Sequence, residues 1–194
     1  MAALIDNVTI SRSNVSAKTI RNNLIPQKIG IFIWRFLKGR IAVKTELVKR
    51  GIDVDTVLCP LCDKATETLD HSFLSCDFTK AVWAGIHQWW QVALTPLTNL
   101  EDILRGVRYG SIPLHLTRVW QVITWTTCYL IWKNRNYKVF NGDSWSTSKT
   151  ICEIQVKAFE WIRNRSKKFH KDWLQWLLNP TDLGAPDTNN LDPG

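Results

Sequence analysis

The sequence predicts a mostly α fold: a small zinc-stapled helical module followed by a helical, bundle-like region. Three observations predict it. Apolar residues recur at helical spacing along most of the chain, and no segment of weight alternates in twos as a strand would. Start and stop signals bracket those runs. Three of the five cysteines and one of the four histidines fall within "CPLCDKATETLDHSFLSC", residues 59–76. At 194 residues the chain can bury a core of its own and need not depend wholly on a metal. Eleven tryptophans beside three tyrosines and one methionine is unusual usage, and most of those rings must be core.

Taken in order, residues 1–24 are polar and Ser/Asn-rich and read as a loose N-terminal arm. Pro26 opens "QKIGIFIWRFLKGR", apolar at 29, 31, 32, 33, 34, 36 and 37. That is too many for one face, so a helix buried on most sides is expected, ended by Gly39. Thr45 is placed to cap a short helix, "ELVKR", that Gly51 terminates. Thr68 is the candidate cap of a helical turn bearing His71. The stretch "DFTKAVWAGIHQWW" continues helically, with Val82, Ile86 and Trp89 or Trp90 on one side. Thr98 and Glu101 stand as a capping box. Pro113 suits the first turn of the most apolar helix, "PLHLTRVWQVITWTTCYLIWKNRNYKVF". Its uninterrupted portion is too short and too rich in threonine for a membrane span, so it reads as a core helix. Asn141-Gly142 marks a turn. Beyond it Ile151, Ile154, Ala158, Ile162, Phe169, Trp173 and Trp176 keep helical spacing, capped by Ser146 or Ser148, as one long helix stopped by Pro180. The organisation expected is a zinc-binding module at 25–92, a helical C-terminal region at 93–178 and a disordered tail at 179–194.

The net charge of +8 is unevenly spread. Residues 1–58 hold ten basic against four acidic side chains, residues 59–110 four against six, and residues 111–194 eleven against seven. Basic charge thus flanks the cysteine cluster on both sides, a distribution compatible with a polyanionic partner. No basic stretch followed by an apolar run marks a secretory signal near Met1, so a nuclear or cytoplasmic location is expected, not a secreted one. A reducing compartment favours metal over disulfides.

Tetrahedral zinc needs four converging nitrogen or sulfur donors, and a two-residue gap lets one tight turn supply two of them. Cys59 and Cys62 have that gap, and His71 and Cys76 complete C-x2-C-x8-H-x4-C. The middle gap is longer than in retroviral-type knuckles. Four protein ligands leave no open position for water, so one structural Zn²⁺ is expected and no metal chemistry. Cys128 and Cys152 read as core fillers, while His87, His115 and His170 have no catalytic spacing. Asp53 and Asp55 read as solvated. Without a phosphate-cradling glycine loop or paired carboxylates, no enzyme is visible.

With these pieces in place, the chain resembles the reverse-transcriptase zinc-binding domain found near the carboxy end of plant LINE-type (non-LTR) retrotransposon polyproteins. The resemblance rests on "IPQKIGIFIWRF", "ELVKRGI", "CPLC" with "ETLDHSFLSC", and Val82-Trp83, spanning roughly residues 20–90. A weaker similarity follows in "IWKNRNYKVF", residues 131–140. The Y-x-D-D carboxylates of the polymerase core are absent, as are endonuclease and ribonuclease H constellations. The chain looks like a carboxy-terminal remnant of such a polyprotein or a separately encoded fragment.

The resemblance implies a nuclear, non-catalytic module that grips RNA or DNA beside the polymerase, through phosphate contacts of low sequence specificity. The candidate contacts are Lys28, Arg35, Lys38 and Arg40 on one side and Arg163, Arg165, Lys167, Lys168 and Lys171 on the other. Arg35, set among apolar neighbours, is alternatively an internally paired cation, and the 163–171 run alternatively the solvated face of the last helix. Trp89 or Trp90, if exposed, would stack on an unpaired base. The competing readings are a zinc-stabilised helical module that docks on a protein, such as the polymerase portion of its own element, and a decayed relic without activity. Neither a membrane nor a small-molecule substrate is expected.

Overall fold

The most apolar stretch of the sequence becomes the centre of the molecule. In a computed structural model, which describes residues 22–91 and 112–182, the elements run α1 (Gln27–Leu37), α2 (Lys44–Val48), a π-helical turn (His71–Ser75), α3 (Asp77–Trp90), a 3₁₀ turn (Leu114–Leu116), α4 (Thr117–Asn141), α5 (Thr147–Arg165) and α6 (Trp173–Leu178). Among the described residues the only extended pairing is a single antiparallel bridge between Leu58 and Thr66. The expected capping box at Thr98 and Glu101 lies outside the described residues.

Helix α4 is buried on every side through Val122–Cys128. Its threonines are tolerated there because each hydroxyl bonds back into the helix: Thr126 donates to the Val122 carbonyl (2.6 Å) and Thr127 to that of Ile123 (2.8 Å). A buried hydroxyl without such a partner would cost about 1–3 kcal/mol. Helices α1 and α5 pack against α4, α3 packs on α5, and α6 closes over α5. One apolar cluster runs through all of them, with Trp90, Trp120, Trp125 and Trp176 fully buried. At Gly85 of α3 an added Cβ would lie 2.4 Å from Ile151 Cδ1 of α5, so any larger residue there must displace the Ile151 side chain. Asn22, buried at the start of the described chain, donates to the Arg118 carbonyl and the Gln121 side chain of α4 (both 3.0 Å).

The turns follow their sequence signals. Gly142 adopts a left-handed conformation and ends α4, and Ser146, not Ser148, caps α5 by accepting from the Lys149 amide (3.2 Å). Between them Asn134 of α4 clamps the connection, accepting from the Trp145 amide (2.7 Å) and donating to the Trp145 carbonyl (3.2 Å).

Four expectations are corrected. Helix α1 is amphipathic and not buried on most sides: Ile29, Phe32, Ile33 and Phe36 face the core against α4 and Phe73 of the π turn, while Ile31 is 47% exposed. Thr45 does not cap α2, which starts at Lys44 after Val43. The Thr45 hydroxyl is spent on the Glu67 carbonyl instead (2.9 Å). The long final helix is broken at Ser166, where the chain turns Phe169 inward against Phe159 (5.8 Å) and Trp176 (5.7 Å); this aromatic burial outweighs helix continuation. Cys152 is exposed on α5 and fills no core, whereas Cys128 is buried as expected, its thiol pushed up by burial.

Candidate metal centre and basic surface

The metal site is assembled by two local structures that the sequence spacing dictates. Cys59 and Cys62 sit on a tight knuckle closed by the Asp63 amide donating to the Cys59 carbonyl (2.8 Å), with Asp63 itself left-handed (φ 53°). Aspartate is among the few residues that tolerate that conformation. The bridge at Leu58 and Thr66 and a bond from the Cys59 amide to the Ala65 carbonyl (2.7 Å) hold the knuckle's two arms together.

His71 and Cys76 are five residues apart. A regular α-helix would carry them to different faces. The π turn closes at five residues instead, with the Cys76 amide donating to the His71 carbonyl (2.8 Å), and so returns both side chains to the knuckle. Thr68 caps this turn as expected, accepting from the His71 amide (3.0 Å).

The four ligand atoms lie within 4.8 Å of one another. Two sulfurs bound tetrahedrally at about 2.3 Å from zinc stand ~3.8 Å apart; Cys59 Sγ and Cys76 Sγ are 3.9 Å apart. His71 turns Nε2 toward Cys62 Sγ (3.2 Å) and Nδ1 toward Ser75 Oγ (3.4 Å). Nε2 is therefore the ligand nitrogen, and Ser75 orients the ring from behind. The sulfur chemistry also suits a cation. The hydrogen bond between the two thiols pushes Cys59 up, with burial adding to it. The same bond lowers Cys76 against the pull of burial, helped by the Thr79 and Phe78 amides at the start of α3. Three cysteines and one histidine fit one structural zinc ion, and with four protein donors the metal supplies shape and no open coordination position.

Sequence reasoning missed the residue that fastens this centre to the rest of the fold. Glu67, fully buried between the two ligand pairs, accepts a bidentate pair from Arg135 of α4 (Nε to Oε1 and Nη2 to Oε2, both 2.6 Å). It also accepts from the Lys44 amide at the start of α2 (2.8 Å), while its own amide donates to the Val57 carbonyl (2.8 Å). Arg135 lies over the Trp132 ring (4.9 Å) and donates to Asn136 Oδ1 (3.1 Å). Its sequence signal was weak, since Arg135 stands beside Lys133 and Lys138 in the polar last third of the helix.

Of the nine expected phosphate contacts, seven are exposed: Lys28, Arg35, Arg40, Arg163, Arg165, Lys167 and Lys168. Lys38 is half-buried. Lys171 is half-buried and donates to the Asn179 carbonyl, and burial lowers its ammonium from the ordinary range. Among the described residues none of the nine is ion-paired, Arg35 included. The α1 group and the 163–171 group lie on different elements, the second at the end of α5 and in the turn to α6 and not on a continuous helix face. Trp90 is buried against Trp120 and Trp176, and Trp89 donates its ring N–H to the Leu177 carbonyl (3.1 Å), so neither is the exposed stacking ring expected. His87 is a core histidine stacked between Trp83 and Trp120 (5.9 and 5.7 Å), and His115 and His170 are exposed. Asp53 and Asp55 are exposed as read.

Fold and site together define a helical protein with a structural Cys₃His zinc centre. Residues 6–83 match the family described as zinc-binding in reverse transcriptase, a stretch that contains all four ligands. That stretch is similar to the family, in agreement with the resemblance carried by its motifs. No curated protein and no solved structure matches the chain significantly. Among the described residues no helix is long and apolar enough to cross a membrane.

Proposed function

We propose that the chain is a non-catalytic module, of the LINE-type element the motifs resemble, that binds RNA or DNA next to a polymerase in the nucleus. The observation that carries this reading is the set of seven exposed basic side chains without carboxylate partners among the described residues, in segments before and after the zinc ligands in the sequence. These are left to a polyanion. The contacts are to phosphate, so affinity is largely indifferent to sequence.

The test is fluorescence anisotropy of the zinc-loaded chain with a short single-stranded RNA at low and moderate salt. Binding at micromolar or tighter concentration, falling steeply with salt at about 0.7 logarithmic units per phosphate neutralised, is the expected result. A folded, zinc-containing chain that binds no nucleic acid would overturn the reading. A second reading, docking on a protein, is favoured by the end of α4, where Tyr137, Val139 and Phe140 are exposed and Phe140 reaches 80%. Alanine replacement of the basic residues from 163 to 171 separates the two: the first loses RNA binding with the fold intact, the second loses none.

A further inference from the structure

The exposed edge of α1 borders an open cleft of about 220 Å³. That is below the roughly 300–1,000 Å³ typical of drug-sized sites, so it has room for one small unit only. Its two linings differ in chemistry. Lys28 and Arg35 of α1 and Arg40 of the turn beyond supply three cations, while Phe32, Ile41 and Trp132 of α4 supply an apolar floor with Ile31 at its lip. Both linings are preset. Arg40 lies over the Trp34 ring at 5.5 Å, and Trp132 is fixed by Arg135 at 4.9 Å and Phe73 at 6.4 Å.

A ligand that satisfies both linings carries an anionic group next to a flat apolar body. A nucleotide of a single strand has this form, since its base is unstacked from a partner strand and its phosphate matches the guanidinium fork. A duplex keeps its bases inside and offers phosphate alone. A polyanion is favoured over a short acidic peptide because a second exposed basic run, from Arg163 to Lys168, lies outside the cleft.

We infer that this cleft seats one unpaired nucleotide of a single-stranded RNA or DNA, with Lys28, Arg35 and Arg40 on its phosphate and Ile31 and the floor against its base. The inference rests on the nucleic-acid reading above and deepens it. The α1 cleft distinguishes single strand from duplex, while the 163–168 run adds charge without discrimination.

The test uses the full zinc-loaded chain, a short single-stranded RNA and a duplex of the same sequence. Ile31→Gln, on an exposed helical position that leaves the fold unchanged by circular dichroism, is expected to weaken single-strand binding by roughly fourfold, the loss of about one buried methylene of apolar contact, and to leave duplex binding unchanged. Arg35→Ala with Arg40→Ala weakens both and flattens the salt slope. A photocrosslink from 5-iodouracil in the single strand is expected to map within residues 28–42 or at Trp132. Crosslinks confined to residues 163–171, or an Ile31→Gln variant that loses single strand and duplex equally or loses neither, would overturn the cleft assignment and leave the nucleic-acid reading standing. A wild-type chain that binds no single strand would overturn both.

Discussion

The knuckle around Cys59 and the helical region around α4 are held in shape by opposite means. Helix α4 satisfies its backbone internally, returns its threonine hydroxyls to its own carbonyls and surrounds itself with tryptophan. Residues 57–67 have almost no regular structure. Their order comes from one bridge, a few turn bonds, four metal donors and the buried carboxylate of Glu67. Apolar area suffices where the backbone is regular. Where it is not, discrete polar groups must be supplied one by one, and the loss of any one is felt.

Metal removal should give the largest effect. Structural zinc carries about 10–16 kcal/mol of apparent binding energy in zinc-finger peptides, and a strong chelator should abolish amide exchange protection across residues 57–76 while Ile123 to Ile131 of α4 remain protected. Next comes Glu67→Ala, which strands the Arg135 guanidinium in the interior and should cost about 3–5 kcal/mol in urea unfolding. Joint replacement, Glu67→Met with Arg135→Met, should recover most of that loss, since no buried charge is left unpaired. Ser75→Ala should leave the fold intact and weaken zinc affinity about 10–100-fold in a competition titration, because it frees the His71 ring to turn. On the helical side Gly85→Ala forces a Cβ onto Ile151 and should cost about 1–3 kcal/mol. Ser146→Ala removes only the cap of α5, for about 1 kcal/mol, read as a small drop in thermal midpoint.

The same contrast explains what the sequence made legible. The ligand set could be read because each pair is local: two residues separate Cys59 from Cys62, and four separate His71 from Cys76. The π turn that makes the second pair work was not legible, since its spacing differs little from that of an α turn. The existence of α1, α3, α4 and α5 followed from periodicity and their ends from Gly142 and Ser146. The exposed edge of α1 did not follow, because periodicity cannot say how many neighbours a helix has. The break at Ser166 was hidden for a related reason. Phe169 and Trp176 keep helical spacing, yet they meet Phe159 only if the chain folds back. Glu67 and Arg135 are 68 residues apart, and no local rule pairs them, although each stands inside a segment that carried the family resemblance.

The central claim is that one structural zinc, held by Cys59, Cys62, His71 and Cys76, orders the knuckle that Glu67 ties to α4. Native mass spectrometry of the purified chain, beside its Cys76→Ala variant, tests it most directly. The account predicts one zinc per wild-type chain and loss of that ion in the variant, together with loss of exchange protection across residues 57–76. A wild-type chain with well under one zinc and a fully protected knuckle would contradict it.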